Sequence, residues 1–277
     1  AATLLEQATP AKMIEIIETY KATVCFTAPT AYRAMLAAMD KGADLSSLRV
    51  AVSAGETLPA PVYDEWVRKT GKPIVDGIGS TEMLHIFISN RLEDSRAACT
   101  GKPLAGYQAI VVDDDMREVA PGTVGKLAVK GPIGCRYLAD DRQGDYVRDG
   151  WNLTGDSFIR DEDGYFHFAA RCDDMIVSAG YNIAGPEVEA ALLKHEAVAE
   201  CAVIGVPDPE RGHIVEAHVV LVDGSAASDA MAKLLQEHVK SIIAPYKYPR
   251  SVVFADTLPK TESGKIQRFR LKQARAA

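Results

Sequence analysis

Four short segments carry residue types that could handle a phosphate, a sugar or a metal ion. In Gly79-Ser80-Thr81-Glu82, glycine lets backbone approach a phosphate, Thr81 offers a hydroxyl donor and Glu82 is a hard oxygen ligand for magnesium. In Thr154-Gly155-Asp156 the carboxylate could take both hydroxyls of a ribose at once. In Arg171-Cys172-Asp173-Asp174, ahead of the apolar Met175-Ile176-Val177 and of Ser178-Ala179-Gly180, an arginine suited to ribose or phosphate stands beside an interdomain hinge. In Pro259-Lys260-Thr261-Glu262-Ser263-Gly264-Lys265-Ile266-Gln267-Arg268, a Ser-Gly turn could present Lys265 as a point charge to a phosphate and a carboxylate. Each segment also has a plain reading: a solvated loop, a turn aspartate, a surface ion-pair cluster worth little, and a solvated basic tail.

The elements that would position these residues follow from patterning. Thr9-Pro10 reads as an N-cap with proline in the first helical turn, and residues 1–7 lead straight into that helix. Short apolar runs at Val24–Phe26, Arg49–Ser53 and Ile74–Ile78 alternate with helical stretches at Tyr32–Met39 and Val62–Lys69, which predicts a parallel sheet with helices on its faces. Functional loops in such sheets gather at the carboxyl ends of the strands, where Ser53-Ala54-Gly55-Glu56 and the Gly77–Glu82 segment fall. From about Gly101 short strands at Ala109–Val112, Gly125–Lys130, Ser157–Arg160 and Tyr165–Phe168 predict a small antiparallel sheet or barrel, with Asp161–Gly164 as a hairpin loop. Thr154-Gly155-Asp156 is placed where a strand begins. After Arg171 come a helix at Glu187–Lys194, strands at Ala199–Val206 and Glu216–Val222, a helix at Asp229–Ile243, a strand at Val252–Phe254 and a polar, basic tail. The fold class is α/β, with residues 1–98 a partial parallel α/β sheet, 99–170 β-rich, and 171–277 a separate α+β domain.

With 47% hydrophobic and 25% charged residues, 277 residues suffice for about two domains with real cores. A net charge of -7 argues against a general nucleic-acid or anionic-membrane surface. The five cysteines (Cys25, Cys99, Cys135, Cys172, Cys201) form no C-x-x-C pair, which speaks against a disulfide framework or zinc site and for a reducing cytoplasm. No apolar run has the length of a membrane span, and no signal peptide opens the chain.

Taken in order, these segments resemble the superfamily of adenylate-forming enzymes: acyl- and aryl-CoA synthetases, luciferases and peptide-synthetase adenylation domains. The resemblance runs essentially from end to end. Asp76-Gly77-Ile78-Gly79-Ser80-Thr81-Glu82-Met83-Leu84-His85-Ile86-Phe87, Ala244-Pro245-Tyr246-Lys247-Tyr248-Pro249-Arg250 and Gly264–Phe269 are similar to the benzoate–CoA ligases. Phe26–Tyr32 and Ala170–Ile183 are similar to the 2-aminobenzoate members. The resemblance implies ATP and coenzyme A as substrates, Mg2+ as the metal, and two half-reactions through an acyl-adenylate. It implies Gly55 and Glu56 against adenine, Asp76 at its amino edge, Thr81 on the α-phosphate and Glu82 on magnesium. Asp156 is then the ribose ligand, with Arg171 close to ribose and phosphate, and Lys265 bridges acid and α-phosphate. Asp173 becomes the hinge of a mobile C-terminal domain, and Gly180 lines the path of the pantetheine arm. Phe26, Gly79, His85 and Ile86 line the acyl pocket, His85 having an equal reading as a packed histidine.

Two departures from the family pattern stand out. Most members have an aromatic residue at the position of Ile78, and the Ser/Thr/Gly-rich loop that cradles the β- and γ-phosphates is absent, lying upstream of residue 1 in family members. The expectation is therefore a fragment with little or no activity by itself. The expected setting is cytoplasmic, with small-molecule substrates, neither nucleic acid nor membrane as partner, and a homodimer as default. A medium-chain acyl-CoA synthetase, a carrier-protein loader, a luciferase-like oxidase and a non-catalytic nucleotide-binding module are the competing readings.

Overall fold

In the computed structural model, which describes residues 9–39, 42–222, 226–261 and 265–276, the chain separates into two compact units. Residues up to 154 together with 158–168 form the first, and 155–157 with 169–277 the second.

The first unit begins with α1 (Pro10–Tyr20), where Thr9 accepts a 3.3 Å hydrogen bond from the Lys12 amide and Pro10 occupies the first turn, as the Thr-Pro pair predicts. The expected lead-in at residues 1–7 lies outside the described residues. Next come β1 (Val24–Thr27), α2 (Pro29–Ala38), β2 (Val50–Ala54), α3 (Ala60–Thr70) and β3 (Ile74–Gly79). α3 stops on Gly71, whose φ of 70° is the left-handed conformation glycine adopts without steric cost. β1, β2 and β3 pair in parallel. The sheet is nonetheless mixed, because β4 (Ile86–Ser89) and β5 (Lys102–Pro103) continue it antiparallel in the order β1-β2-β3-β4-β5. Under the helices lie Ile17, Tyr32, Met35, Leu48, Trp66 and Ile74. Tyr32 and Trp66 are fully buried and meet edge to face at 4.8 Å, each burial worth roughly 2–3 kcal/mol.

The β-rich part consists of β6 (Gln108–Val112), β7 (Val124–Lys130), the short α4 (Gln143–Tyr146), β8 (Val147–Arg148), β9 (Trp151–Arg160) and β10 (Phe166–Arg171). The sheet order is β10-β9-β7-β6, with β8 on β9. Phe158 and Phe166 close on Leu127, Val129, Met83 and Phe87 to form its core. Thr154-Gly155-Asp156 does not open a strand here. β9 begins at Trp151 and runs through it, with Gly155 at φ 74° inside the strand.

The second unit holds β11 (Ile176–Ser178), β12 (Tyr181–Ile183), α5 (Gly185–Leu192), β13 (Val198–Asp208), β14 (Gly212–Leu221), α6 (Asp229–Ile242), β15 (Ser251–Phe254) and α7 (Arg268–Ala276). β13 and β14 form a long antiparallel hairpin, and β15 adds to β14 in parallel. Val188, Leu192, Val203, Val219, Leu235 and Val239 make the core. The polar, basic tail ends in a helix, α7. In α7 Leu271 is the one buried side chain among the described residues, and the helix is tied down by Arg268 to Glu189, Lys272 to Asp174 and Arg275 to Glu216.

Candidate active site

Parallel register decides which residues meet in the first unit. Phe26 stands opposite Val52, Ser53 opposite Asp76 and Ala54 opposite Gly77, so the carboxyl ends of β1, β2 and β3 carry Phe26, Gly55-Glu56 and Asp76–Gly79 along one edge. Asp76 and Ser53 are both buried there. Neither Asp76 Oδ1 nor Ser53 Oγ completes a hydrogen bond. Burial pushes the Asp76 carboxyl up to about 7, only partly opposed by the nearby Ser53 hydroxyl and the Gly77 amide. Each buried polar atom left without a partner costs roughly 1–3 kcal/mol, so a pair of them at a strand end fits a polar ligand group that completes the bonding. An amino group at the edge of a purine has the required donors.

Glu56, beside exposed Gly55, turns its carboxylate to the start of α2, where Oε2 accepts from the Thr30 hydroxyl at 2.6 Å and the Thr30 amide at 3.2 Å. That leaves its backbone and aliphatic stem to pack against a flat ring. Ile78 is half-buried against the Met83–Phe87 core, so only part of its side chain is available to such a ring.

Between β3 and β4 the chain turns at Ser80–His85. Ser80 Oγ accepts from the Met83 amide at 3.2 Å, and Met83 is fully buried, which pins the turn and leaves Thr81 exposed and Glu82 half-exposed. Gly79 is required by packing: a Cβ there would lie 2.4 Å from the His85 carbonyl oxygen. Gly79 is paired with Ile86, and the exposed rings of Phe26 and His85 lie 6.5 Å apart, so the four expected pocket residues do share one region. His85 is exposed rather than packed in the core.

Glu82 Oε1 accepts a 2.9 Å hydrogen bond from the Tyr137 hydroxyl. That bond, with lesser help from burial and the carboxylate charge, holds the Tyr137 phenol above its ordinary range. Among the described residues no group of three or more His, Cys, Asp or Glu side chains could hold a metal ion. Magnesium, which takes one or two carboxylates and otherwise water and substrate phosphate, suits a carboxylate such as Glu82.

The second unit holds the remaining candidates. Arg171 Nη1 donates to Asp156 Oδ1 at 3.0 Å, with Asp156 buried and Arg171 exposed. A Cβ on Gly155 would come within 3.2 Å of Arg171 Nη2, so the guanidinium would have to shift by a few tenths of an ångström. Asp173 lies in the 3-10 turn Cys172–Asp174, and its side chain is outside the described part. Gly180 (φ 82°) follows Ala179 (φ 49°) in the two-residue turn joining β11 and β12, the geometry of a tight hairpin, and a Cβ on Gly180 would meet only open space. Exposed Lys265 sits on a small loop closed by the Lys260–Ile266 bridge, its amide donating to Thr261 Oγ1 at 3.0 Å. The expected Ser263-Gly264 turn lies outside the described residues.

The side-chain partners of the site carboxylates are less visible in the sequence. Ser53 could have been found from parallel register, which sets it opposite Asp76. Thr30 and Tyr137 act on carboxylates 26 and 55 positions away, and no local spacing signals such pairings.

Two family models match this chain: AMP-binding enzyme over residues 2–137 and AMP-binding enzyme C-terminal domain over residues 187–265. The chain belongs to the AMP-binding, adenylate-forming enzyme family. It is 40% identical over 279 residues to the benzoate–CoA ligase of Thauera aromatica, covering 99% of this chain and 53% of the relative. It is 38% identical over 273 residues to the human mitochondrial acyl-coenzyme A synthetase ACSM3, covering 95% and 47%. The crystal structure of the anthranilate CoA ligase AuaEII with anthranoyl-AMP superposes with a TM-score of 0.92 at 39% identity, covering 99% of this chain and 54% of that one. The chain thus spans about half the length of the relatives it matches.

Proposed function

We propose that the full-length protein activates an aromatic carboxylic acid, benzoate or 2-aminobenzoate, with ATP and passes the acyl group to coenzyme A. A carboxylate oxygen attacks the α-phosphorus, and the bond to pyrophosphate breaks. The thiolate sulfur of coenzyme A then attacks the acyl carbon, and the bond to AMP breaks, the thiol proton passing to solvent. The observation that carries the nucleotide half is the buried, unfilled pair Ser53 Oγ and Asp76 Oδ1 at the carboxyl ends of neighbouring parallel strands, beside the turn bearing Thr81 and Glu82.

In this reading Asp76 receives the amino edge of adenine, with Gly55 and the stem of Glu56 against the ring. Asp156 takes the ribose hydroxyls while Arg171, already bonded to it, offers its remaining N–H groups to ribose and phosphate. Thr81 bonds the α-phosphate. Glu82 would hold magnesium, which would supply positive charge to the phosphates. Lys265 stabilises the negative charge of the crowded phosphorus, a contribution of several kcal/mol for a preorganised cation. Asp173 serves as the hinge of a mobile C-terminal domain, and the open turn at Gly180 gives the pantetheine arm room. The aromatic acid is supported by the Phe26–His85 ring pair with Gly79 and Ile86, and by relatives named for benzoate and 3-hydroxybenzoate.

A coenzyme A thioester assay of the full-length protein with ATP, magnesium and a panel of benzoate, 2-aminobenzoate, hexanoate and palmitate tests this. We expect a preference for the two benzoates. Lys265→Ala should lower adenylate formation by about 10²–10³-fold while sparing thioester formation from supplied acyl-adenylate. A preference for hexanoate would move the substrate to the medium-chain acids. An unchanged adenylation rate in Lys265→Ala would remove that lysine from the mechanism.

A further inference from the structure

We infer that Tyr137 is a positioning residue for the metal-binding carboxylate: it orients Glu82 for a magnesium–nucleotide complex by donating to Oε1. This rests on the assignment of Glu82 as the metal ligand.

The contact joins two separate parts of the first unit. Glu82 belongs to the turn after β3, whereas Tyr137 comes from the long connection between β7 and β8, and their 2.9 Å bond spans 55 positions of chain. Tyr137 is itself held at three points. Its amide donates to Gln143 Oε1 at 2.7 Å, and Gln143 Nε2 donates to the Cys135 carbonyl at 3.3 Å, so the side chain of α4 braces the backbone on both sides of Arg136. Its ring meets Tyr146 edge-on at 5.7 Å, and the Arg142 guanidinium lies 5.3 Å from the ring centre. A residue that only filled space would not need its hydroxyl on a carboxylate or its amide clamped by a side chain.

The geometry suits metal binding for a specific reason. A metal-binding carboxylate must present its oxygens in one orientation when a cation binds, and any freedom about its last bonds is lost then. A neutral phenol on one oxygen removes that freedom in advance without adding the charge that would repel the cation, as an arginine or lysine would. Partners that orient metal ligands in this way are worth about 10–100-fold in metal affinity. Phenylalanine at 137 keeps the packing on Tyr146 and removes only the bond.

The test is direct binding of Mn2+, standing in for magnesium, to the full-length protein saturated with a nonhydrolysable ATP analogue, read by electron paramagnetic resonance. Tyr137→Phe, Glu82→Gln and the double variant are compared with the parent, with thermal unfolding to establish that each folds. We expect Tyr137→Phe to raise the Mn2+ dissociation constant about tenfold, and to have no further effect in the Glu82→Gln background. An unchanged constant in Tyr137→Phe, or the same loss with and without Glu82, overturns the positioning role. If Glu82→Gln alone leaves Mn2+ binding intact, the ligand assignment under the proposed function fails first, and this inference falls with it.

Discussion

Asp76→Asn isolates the cost of holding a carboxyl in a dry strand end. Folding takes the Asp76 carboxyl from an ordinary 3.8 to about 7, chiefly through burial. At about 1.4 kcal/mol per tenfold change in proton affinity, that is at most about 4 kcal/mol of stability. The sign follows from proton counting. Between about pH 4 and 7 the folded chain keeps a proton that the unfolded chain has released, so stability falls as pH rises across this window and the full penalty is present above it. Asparagine has nearly the same shape and never ionises. The variant should match the parent within about 1 kcal/mol near pH 4.5 and exceed it by up to about 4 kcal/mol at pH 8. Urea unfolding followed by tryptophan fluorescence reads the relevant unit alone, because Trp66 and Trp151 both lie in the first unit and the second has no tryptophan. A difference between variant and parent that stays constant from pH 5 to pH 8 would falsify this account of Asp76.

Four further substitutions probe how the two units are held. Gly164→Ala and Gly155→Ala both force a left-handed residue, at φ 81° and 74°, but only the second also meets Arg171 at 3.2 Å. Gly164→Ala should cost about 1 kcal/mol and Gly155→Ala clearly more, with equal midpoints in denaturant counting against the Gly155–Arg171 contact. Gly79→Ala puts a Cβ 2.4 Å from the His85 carbonyl oxygen, so the turn must open; we expect a loss of about 3 kcal/mol, and an unchanged melting temperature would contradict the tight β3–β4 turn. Arg275→Leu strands the buried Glu216. Burial raises that carboxyl, but bonds from Arg275 and Ser251 outweigh it and hold it below the ordinary range. Its stabilising effect is present above the unfolded value of 4.5 and is lost as pH falls through the folded one. The variant should lose about 1–3 kcal/mol at pH 7 and less at pH 3, and a loss that did not shrink in acid would point to packing instead of charge.

The first three strands and their helices were legible because each is a short apolar run bounded by a helix-breaking or capping residue, as Thr9-Pro10 and Gly71 illustrate. β9 was misread at its start because a glycine normally marks a break, and here a strand carries Gly155 through at positive φ beside a guanidinium. α7 was invisible to hydrophobic periodicity because ion pairs hold it instead of an apolar stripe, Leu271 being its one buried side chain among the described residues. β4 has no clean signature in the sequence because Ile86 serves both as a candidate pocket residue and as a strand residue; Phe87 and Ile88 are fully buried, and the strand reverses direction only after the Ser80–His85 turn. Of the candidate site residues, those fixed by parallel register came out together at the strand ends. The pairings that restrain their carboxylates, Thr30 to Glu56 and Tyr137 to Glu82, depend on tertiary contacts that a linear pattern does not encode.

These restraints differ in a way that bears on the chemistry. Glu56 spends its carboxylate on the α2 amide and hydroxyl of Thr30, and Glu82 gives one oxygen to a neutral phenol. Asp76 has a backbone amide and a nearby hydroxyl that fall short of offsetting its burial, and one of its oxygens is left unmet. A sequence selected for stability alone would fill that place with asparagine or an apolar side chain, since about 4 kcal/mol is a large part of what holds a domain together. Keeping the aspartate makes sense when a bound group repays the cost, which is the usual trade between stability and function. Asp76→Asn should therefore gain stability at pH 8 and lose affinity for ATP in the same protein. A variant that gained the first and kept the second would leave the buried carboxylate without a purpose in nucleotide binding.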